Sequence, residues 1–358
     1  MKVYNIAVLP GDGIGPEVTS EAVKVLRKLS EIDVSFQFET EEFNWNSEYY
    51  LRHGSMMPED GLEQLRDFDA ILFGAIGDSR VPDPVTIWEL ILPIRKNFQQ
   101  YVNFRPIKLL NGLESPLKKD APIDFAIIRE NSEGEYTNSG GAMFQGEDRE
   151  MAVQNTVMTR QGVKQITEFA YDYAREHGLS KVTNATKSNA VIHTMNFWDR
   201  VVEEIAEENK DIGYEKYYID ALAAYFVQRP ESFEVVLASN LFGDILSDLG
   251  SAIVGGLGIA PSGNINPSGE FPSMFEAVHG SAPDIAGKGV ANPMAQIWSA
   301  ALMLEHLGRK DLHDTVLAAM EEVLAEKKVL TPDIGGASST EEVGDAIIGK
   351  LKNNGVIE

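Results

Sequence analysis

The chain predicts an α/β fold on a largely parallel sheet. Short apolar runs bounded by Gly, Pro or Asp alternate with amphipathic stretches of about ten residues or more. A glycine loop separates the first run from the first stretch, and 358 residues suit two domains of ordinary size.

The elements follow in order. Residues 6–9 read as a strand, and Pro16 near the start of a helix over 17–29 makes the intervening loop a tight turn. Further strands are expected at 70–73, 125–128, 217–219 and 235–238. Further helices are expected at 162–177, 198–208, 292–307 and 312–326, with another beginning after a turn at Asn240. Neither a repeat nor a Ser/Gly-rich linker interrupts the pattern, so a two-domain molecule would have its chain cross between domains more than once.

Composition removes several functions. Thirty-one Lys and Arg against 55 Asp and Glu give a net charge of −24, which repels phosphate backbones and anionic membranes. No nucleic-acid or membrane partner is expected. With no cysteine there can be no disulfide, thiolate metal site or cysteine nucleophile. The first apolar run is too short for a signal-peptide core, and a cytoplasmic location is the expectation. The loop Gly11-Asp12-Gly13-Ile14-Gly15-Pro16 lacks the G-x-G-x-x-G spacing, which disfavours a standard Rossmann domain.

Several residues carry possible chemistry. Arg95 and Arg105 lie ten residues apart, and Arg129 follows the apolar run ending at Ile128, at a strand carboxyl end where ligand sites gather. A guanidinium binds carboxylates two-pronged, although in so acidic a chain each arginine could equally serve a salt bridge. Tyr136, seven residues past Arg129, is on pattern alone equally a packed loop aromatic. Asp244 and Asp248, four apart among apolar neighbours, would share a helix face. Solvent screening or an oxygen-ligated Mg²⁺ or Mn²⁺ would offset their repulsion. Asp220 in an apolar run needs a partner or a metal. Lys187 is a surface lysine or, beside cations, a general base.

Aligned together, these segments resemble the β-decarboxylating dehydrogenases, which oxidise 2-hydroxy acids bearing a 3-carboxylate. The matches run from Gly11-Asp12-Gly13-Ile14-Gly15-Pro16, through the arginines, Tyr136, Lys187, Asp220 and Asn240-Leu241-Phe242-Gly243-Asp244, to His279-Gly280-Ser281-Ala282-Pro283-Asp284-Ile285 and Asn292. The resemblance implies a two-domain, isopropylmalate dehydrogenase-like open α/β sheet, distinct from the Rossmann fold. It places a cofactor domain in 1–98 and 250–358, and an inserted substrate, metal and dimerisation domain in 99–249. It also implies that the arginines clamp substrate carboxylates and that Asp244 and Asp248 bind Mg²⁺ or Mn²⁺ with Asp220 from the other subunit of a homodimer. Lys187, likewise from the partner, would remove the C2 hydroxyl proton, and Tyr136 would protonate the enolate. Cofactor contacts would come from Ile14, Asn189, His279, Gly280, Ser281, Ala282, Pro283, Asp284, Ile285 and Asn292. Asp284 would accept the ribose hydroxyls and repel a 2′-phosphate, so NAD is expected; a K⁺ requirement stays open.

Substrate choice in this family is set just before Arg95. Isopropylmalate enzymes carry Glu where this chain has Trp88, followed here by Ile91 and Leu92. An indole there would fill the side-group pocket and leave room for a four-carbon diacid; alternatively Trp88 is only a packed helix residue. The wider pattern resembles D-malate and tartrate dehydrogenases. It implies oxidative decarboxylation of D-malate to pyruvate and CO₂, tartrate being an alternative substrate and 3-isopropylmalate the rival reading. A metal-dependent lyase or epimerase, or a non-catalytic acid sensor, are rivals of other classes.

Overall fold

The computed structural model describes residues 1–118 and 122–351. In chain order the strands and helices are β1 (Lys2–Gly11), α1 (Gly15–Ile32), β2 (Phe36–Glu42), α2 (Ser47–His53), α3 (Gly61–Leu65), β3 (Ala70–Ala75), α4 (Asp83–Thr86) and α5 (Leu92–Asn97), then β4 (Val102–Lys108), β5 (Asp124–Glu130), β6 (Gly140–Met143), β7 (Met151–Gln154), α6 (Arg160–Glu176), β8 (Lys181–Thr186), α7 (Thr194–Glu208), β9 (Gly213–Tyr218), α8 (Ile219–Gln228), β10 (Val235–Ala238) and α9 (Asn240–Ile253). There follow β11 (Pro261–Ile265), β12 (Ser273–Ala277), α10 (Met294–His306), α11 (Lys310–Glu326) and α12 (Thr340–Lys350). The chain divides into two compact units, one of Met1–Gln100, Lys108–Lys118 and Ser251–Glu358, the other of Tyr101–Ile107 and Lys119–Gly250.

In the first unit the strands lie in the order β2-β1-β3-β12-β11, parallel except for the antiparallel β11–β12 pair. β1 is apolar and buried from Ile6 to Leu9, and β3 is buried throughout, as expected of parallel strands covered on both faces. Helix α10 is buried at every position from Met294 to Leu304, which an amphipathic surface helix would not be.

In the second unit the order is β4-β5-β10-β8-β9, with β5, β10, β8 and β9 running parallel. This geometry positions the chemistry. Arg129 lies at the carboxyl end of β5 and pairs with Ala238 at the end of β10, while Thr186 pairs with Tyr218 at the ends of β8 and β9. Asn240, Lys187 and Asp220 therefore begin the segments that leave one end of the same sheet, where open α/β sheets gather their ligands.

The structure corrects one local expectation. The strand expected over 217–219 stops at Tyr218 and Ile219 opens a helix, so Asp220 sits in a first helical turn with its side chain 68% exposed. A carboxylate is favoured in the positive field of a helix start. Among the described residues no helix is long and apolar enough to cross a membrane.

Candidate active site

In the second unit, Arg105, Arg129, Tyr136 and Asp244 come together. Arg129 is 4% exposed, and its Nη1 donates to Asp244 Oδ1 at 2.5 Å. Arg105 Nη1 lies 3.5 Å from the same oxygen, and the Tyr136 hydroxyl donates to Asp244 Oδ2 at 3.1 Å. The site is built by close approach. A Cβ added at Gly243 would stand 2.5 Å from Arg129 Cγ, so only glycine lets the buried arginine lie against α9. Arg105 Nη1 donates to Ser247 Oγ at 2.5 Å, and Ser247 in turn donates to the Asp244 carbonyl at 2.8 Å.

Electrostatics follow from this crowding. Burial, then the neighbouring Asp244 charge, push the Tyr136 phenol above its ordinary range, so it keeps its proton at neutral pH. Partial loss of water around its carboxyl, with repulsion from Asp244, raises Asp248, while Arg105 and Arg129 oppose the shift. A carboxylate pair on one helix, one member of which resists ionisation, offers oxygen donors of the kind a hard divalent cation takes. Among the described residues of one chain, however, no group of three acids could hold a metal, so the trio of Asp220, Asp244 and Asp248 does not assemble within a single copy.

Asp220 instead pairs with Lys187, whose Nζ donates to Oδ1 at 2.6 Å and lies 5.8 Å from the Tyr218 ring centroid. The lysine hydrogen bond is the largest influence lowering the Asp220 carboxyl. Asn189, in the turn after β8, is exposed.

In the first unit, Arg95 Nη2 donates to Glu276 Oε1 at 2.6 Å; both side chains are largely buried, and Asn264 Nδ2 reaches the same oxygen at 2.7 Å. Ahead of Arg95 the helix widens into a π-helical turn over Ile87–Ile91 that the sequence does not announce. Trp88 on this turn is half-buried, with Lys96 Nζ 5.2 Å from its ring centroid. Ile91 packs against the apolar core, Leu92 is buried, and Trp88 does not belong to that core cluster.

The cofactor-loop residues also lie in this unit. The Ile14 amide donates to the Ser281 carbonyl at 2.9 Å, and Ile14 packs with Ala282, Ile285 and Ala291. Gly13 has φ +58°, and a Cβ there would meet Ser281 O at 2.0 Å, so the glycine loop and the 281 segment fit only without that atom. Burial holds His279 below its ordinary pKa; Gly280, Pro283 and Asp284 are exposed. Asn292 Nδ2 donates to Asp333 at 3.0 Å.

Sequence reasoning missed several supporting residues. Glu17 accepts from the Gly287 and Gly289 amides at 2.5 and 3.0 Å, pinning the loop that carries Asp284 to the first turn of α1. Glu276 holds Arg95, and Asn240 holds Arg129. Glu130, beside Arg129, is buried and accepts the Ser132 and Glu133 amides at 2.6 and 2.9 Å, which shapes the loop leading to Tyr136. The signal available for Glu130 and Glu276 was an acid ending or lying inside an apolar strand.

The comparisons agree with one another. The sequence profile described as isocitrate/isopropylmalate dehydrogenase matches residues 5–347. The chain is 50% identical over 353 residues to a probable tartrate dehydrogenase/decarboxylase of Bacillus subtilis, covering 98% of this chain and 99% of that one. It is 49% identical to the D-malate dehydrogenase [decarboxylating] of Escherichia coli, covering 97% and 98%. The crystal structure of isocitrate dehydrogenase from Methylococcus capsulatus superposes with a TM-score of 0.88 at 33% identity, covering 97% of this chain and 99% of that chain. Motif order, sheet topology and these likenesses converge: the chain is an oxidoreductase of the isocitrate/isopropylmalate dehydrogenase family.

Proposed function

We propose that the protein catalyses NAD- and divalent-metal-dependent oxidative decarboxylation of a small 2-hydroxy diacid, D-malate to pyruvate and CO₂, with tartrate as an alternative substrate. The observation that carries this reading is the buried pair Arg105 and Arg129 meeting Asp244 and the Tyr136 hydroxyl. Two buried cations suit a doubly charged substrate, and a protonated phenol beside them suits the return of a proton. The tartrate and D-malate dehydrogenases among its relatives support the substrate class.

In this reading Arg95, Arg105 and Arg129 hold the substrate carboxylates. Lys187 of a second copy takes the C2 hydroxyl proton, and Tyr136 delivers a proton to C3 once CO₂ has left. Asp244 and Asp248, with Asp220 of a second copy, would hold Mg²⁺ or Mn²⁺. When bound, the cation supplies Lewis acidity toward the C2 oxygen, and NAD supplies the hydride acceptor. Glu17 keeps the Asp284 loop in place for the ribose. Trp88 limits the space beside C3 and so favours a four-carbon acid over one with a branched side group.

The homodimer is supported by apolar side chains that the second unit leaves open. Met143, Phe144, Met151 and Val153 on or beside the β6–β7 hairpin are exposed, and Ile245 on α9 is 54% exposed one residue from Asp244. A cytoplasmic location accords with this chemistry.

The test is a screen for NADH or NADPH formation from D-malate, both tartrates, 3-isopropylmalate and isocitrate, with and without Mn²⁺. The reading expects D-malate and tartrate with NAD and Mn²⁺ to lead. A much higher kcat/KM for 3-isopropylmalate would overturn the Trp88 argument, and metal-independent turnover would overturn the aspartate assignment.

A further inference from the structure

Three elements of the second unit converge on Glu133, three residues before Tyr136. The Glu130 carboxyl at the end of β5 accepts the Glu133 amide at 2.9 Å, and Asn240 Nδ2 at the start of α9 donates to the Glu133 carbonyl at 3.0 Å. The Glu133 side chain reaches the start of α6. Its Oε2 accepts the Thr159 amide at 2.7 Å, and its Oε1 accepts the Thr159 hydroxyl at 2.5 Å. Thr159 is also the residue that caps α6, since its Oγ1 accepts the Gly162 amide at 3.0 Å. A Cβ added at Gly162 would stand 2.5 Å from Glu133 Oε2, so glycine in that first turn is what lets the carboxylate come this close.

The clamp closes the mouth of a ribbon. The Gly134 amide donates to the Val157 carbonyl at 2.8 Å, and the Val157 amide donates back to Gly134 at 3.2 Å. Gln154 Nε2 donates to the Glu135 carbonyl at 2.8 Å and Thr156 Oγ1 to Glu135 Oε1 at 3.1 Å, and the pairing runs on into the β6–β7 hairpin. Tyr136 follows directly, with its hydroxyl on Asp244.

That hydroxyl bond cannot hold the phenol at the moment of proton delivery, because the O–H must then point at a substrate carbon. The position has to come from the backbone that carries the ring, and a misplacement of about 1 Å costs about 100-fold in rate. Two oxygens of one side chain meeting two donors of one residue make a fixed geometry that a single acceptor lacks. The positive field of the helix start favours the negative charge there.

We propose that Glu133 is a positioning residue that anchors the Tyr136 loop to the start of α6 and so aims the phenol at C3 of the substrate. This rests on the diacid reading above, in which Tyr136 is the proton donor.

The experiment compares Glu133→Ala, Glu133→Gln, Tyr136→Phe and the Tyr136→Phe/Glu133→Ala double variant with wild type. Each holoenzyme is assayed with NAD and Mn²⁺ for kcat and for the KM of D-malate. Exchange of the pyruvate methyl hydrogens with D₂O, in the presence of NADH and Mg²⁺, is followed by NMR. In that exchange a C3–H bond breaks as its proton passes to the phenolate form of Tyr136, and a C3–D bond forms from the deuterated phenol. No net redox occurs, so the step that Tyr136 serves is isolated. Glu133→Ala should slow exchange by ~10-fold or more, with the KM of D-malate within about twofold of wild type. In the Tyr136→Phe background the same substitution should change the residual kcat by less than about twofold, because its effect passes through the phenol. A role confined to capping α6 predicts a lower thermal midpoint with exchange unaltered, or an equal loss with and without Tyr136. Either result overturns the assignment. If Glu133→Ala does not fold, Glu133→Gln decides, since it keeps the shape and one acceptor: slower exchange at unchanged KM supports positioning, and unchanged exchange refutes it. A wild type that neither oxidises any diacid nor exchanges pyruvate overturns the functional reading and this assignment together. An active wild type whose Glu133 variants exchange at its own rate overturns the assignment alone.

Discussion

Glu130→Gln provides a test of how the loop beside Arg129 is held. The Glu130 carboxyl is buried at the end of β5, and loss of water raises its pKa from the ordinary 4.5 to about 7. The Ser132 and Glu133 amides and the Arg129 charge pull it down, while the Glu133 charge adds to the rise. Because the folded-state value lies above the unfolded one, the native state binds the proton more tightly. The stabilisation from that proton is complete below about pH 4.5 and is lost as pH rises through about 7. A difference of some 2.5 units corresponds to roughly 3 kcal/mol between the ends of that window. Glutamine carries no such proton and keeps an acceptor for only one of the two amides, a loss independent of pH. Denaturation midpoints of wild type and Glu130→Gln, followed from pH 4 to 8 in urea, isolate the effect in their difference. The variant should gain on wild type by roughly 3 kcal/mol as pH rises, mostly between pH 5 and 7.5. A difference that stays flat, or runs the other way, would show that Glu130 is ionised in the folded protein and that the burial argument fails.

Two further substitutions address selectivity. Trp88→Leu should lower the ratio of kcat/KM for D-malate over 3-isopropylmalate by about 10-fold or more, the worth of opening an apolar pocket by a few methylenes; an unchanged ratio would make Trp88 a bystander on the π-turn. Asp284→Lys should move the preference from NAD towards NADP by ~10-fold or more, through loss of a ribose acceptor and gain of a phosphate partner. Kinetics with both cofactors measure it, and unaltered selectivity would contradict the ribose assignment.

The parts of the fold that the sequence made legible are those where burial is two-sided. β1, β3, β5 and β10 read as apolar runs because parallel strands here are covered on both faces, and β10 was expected over the same four residues that form it. β8 escaped because Thr183, Asn184 and Thr186 are buried beside Val182 and Ala185, which breaks the apolar run. Asn184 on that strand accepts from Trp198 Nε1 at 2.7 Å and donates to Asp199 and Tyr214, a satisfied network that imitates a surface pattern. The β6–β7 hairpin is exposed along both strands, so it offers no alternation to detect. The turn at Tyr218–Ile219 was blurred by apolar residues continuing from strand into helix.

The candidate site divides along similar lines. Charged residues placed after apolar runs, such as Arg129 and Asp244, stand out against their neighbours. The residues that orient them do not. Asn240 and Ser247 are ordinary polar side chains until their partners 111 and 142 positions away are known. Glu17 looks like a common acidic first turn, and only the structure brings Gly287 to it. The π-helical turn depends on the path of the chain around Trp88, which side-chain periodicity does not encode.

The same geometry explains why the sharing of residues between copies is the central question. Asp244 and its arginines form one assembly in a single chain, Lys187 and Asp220 form another, and among the described residues no three acids of one chain converge on a metal. If a partner supplies Lys187 and Asp220 across a two-fold axis, two differently disabled copies should repair one another. Lys187→Ala and Asp248→Asn homodimers, each nearly inert, are to be mixed, allowed to exchange subunits, and assayed with D-malate, NAD and Mn²⁺. Each mixed dimer then holds one intact site and one doubly damaged site, so random exchange should restore about a quarter of wild-type turnover. Turnover that never rises above that of the separate variants, once subunit exchange has been demonstrated, would contradict a site shared between two copies.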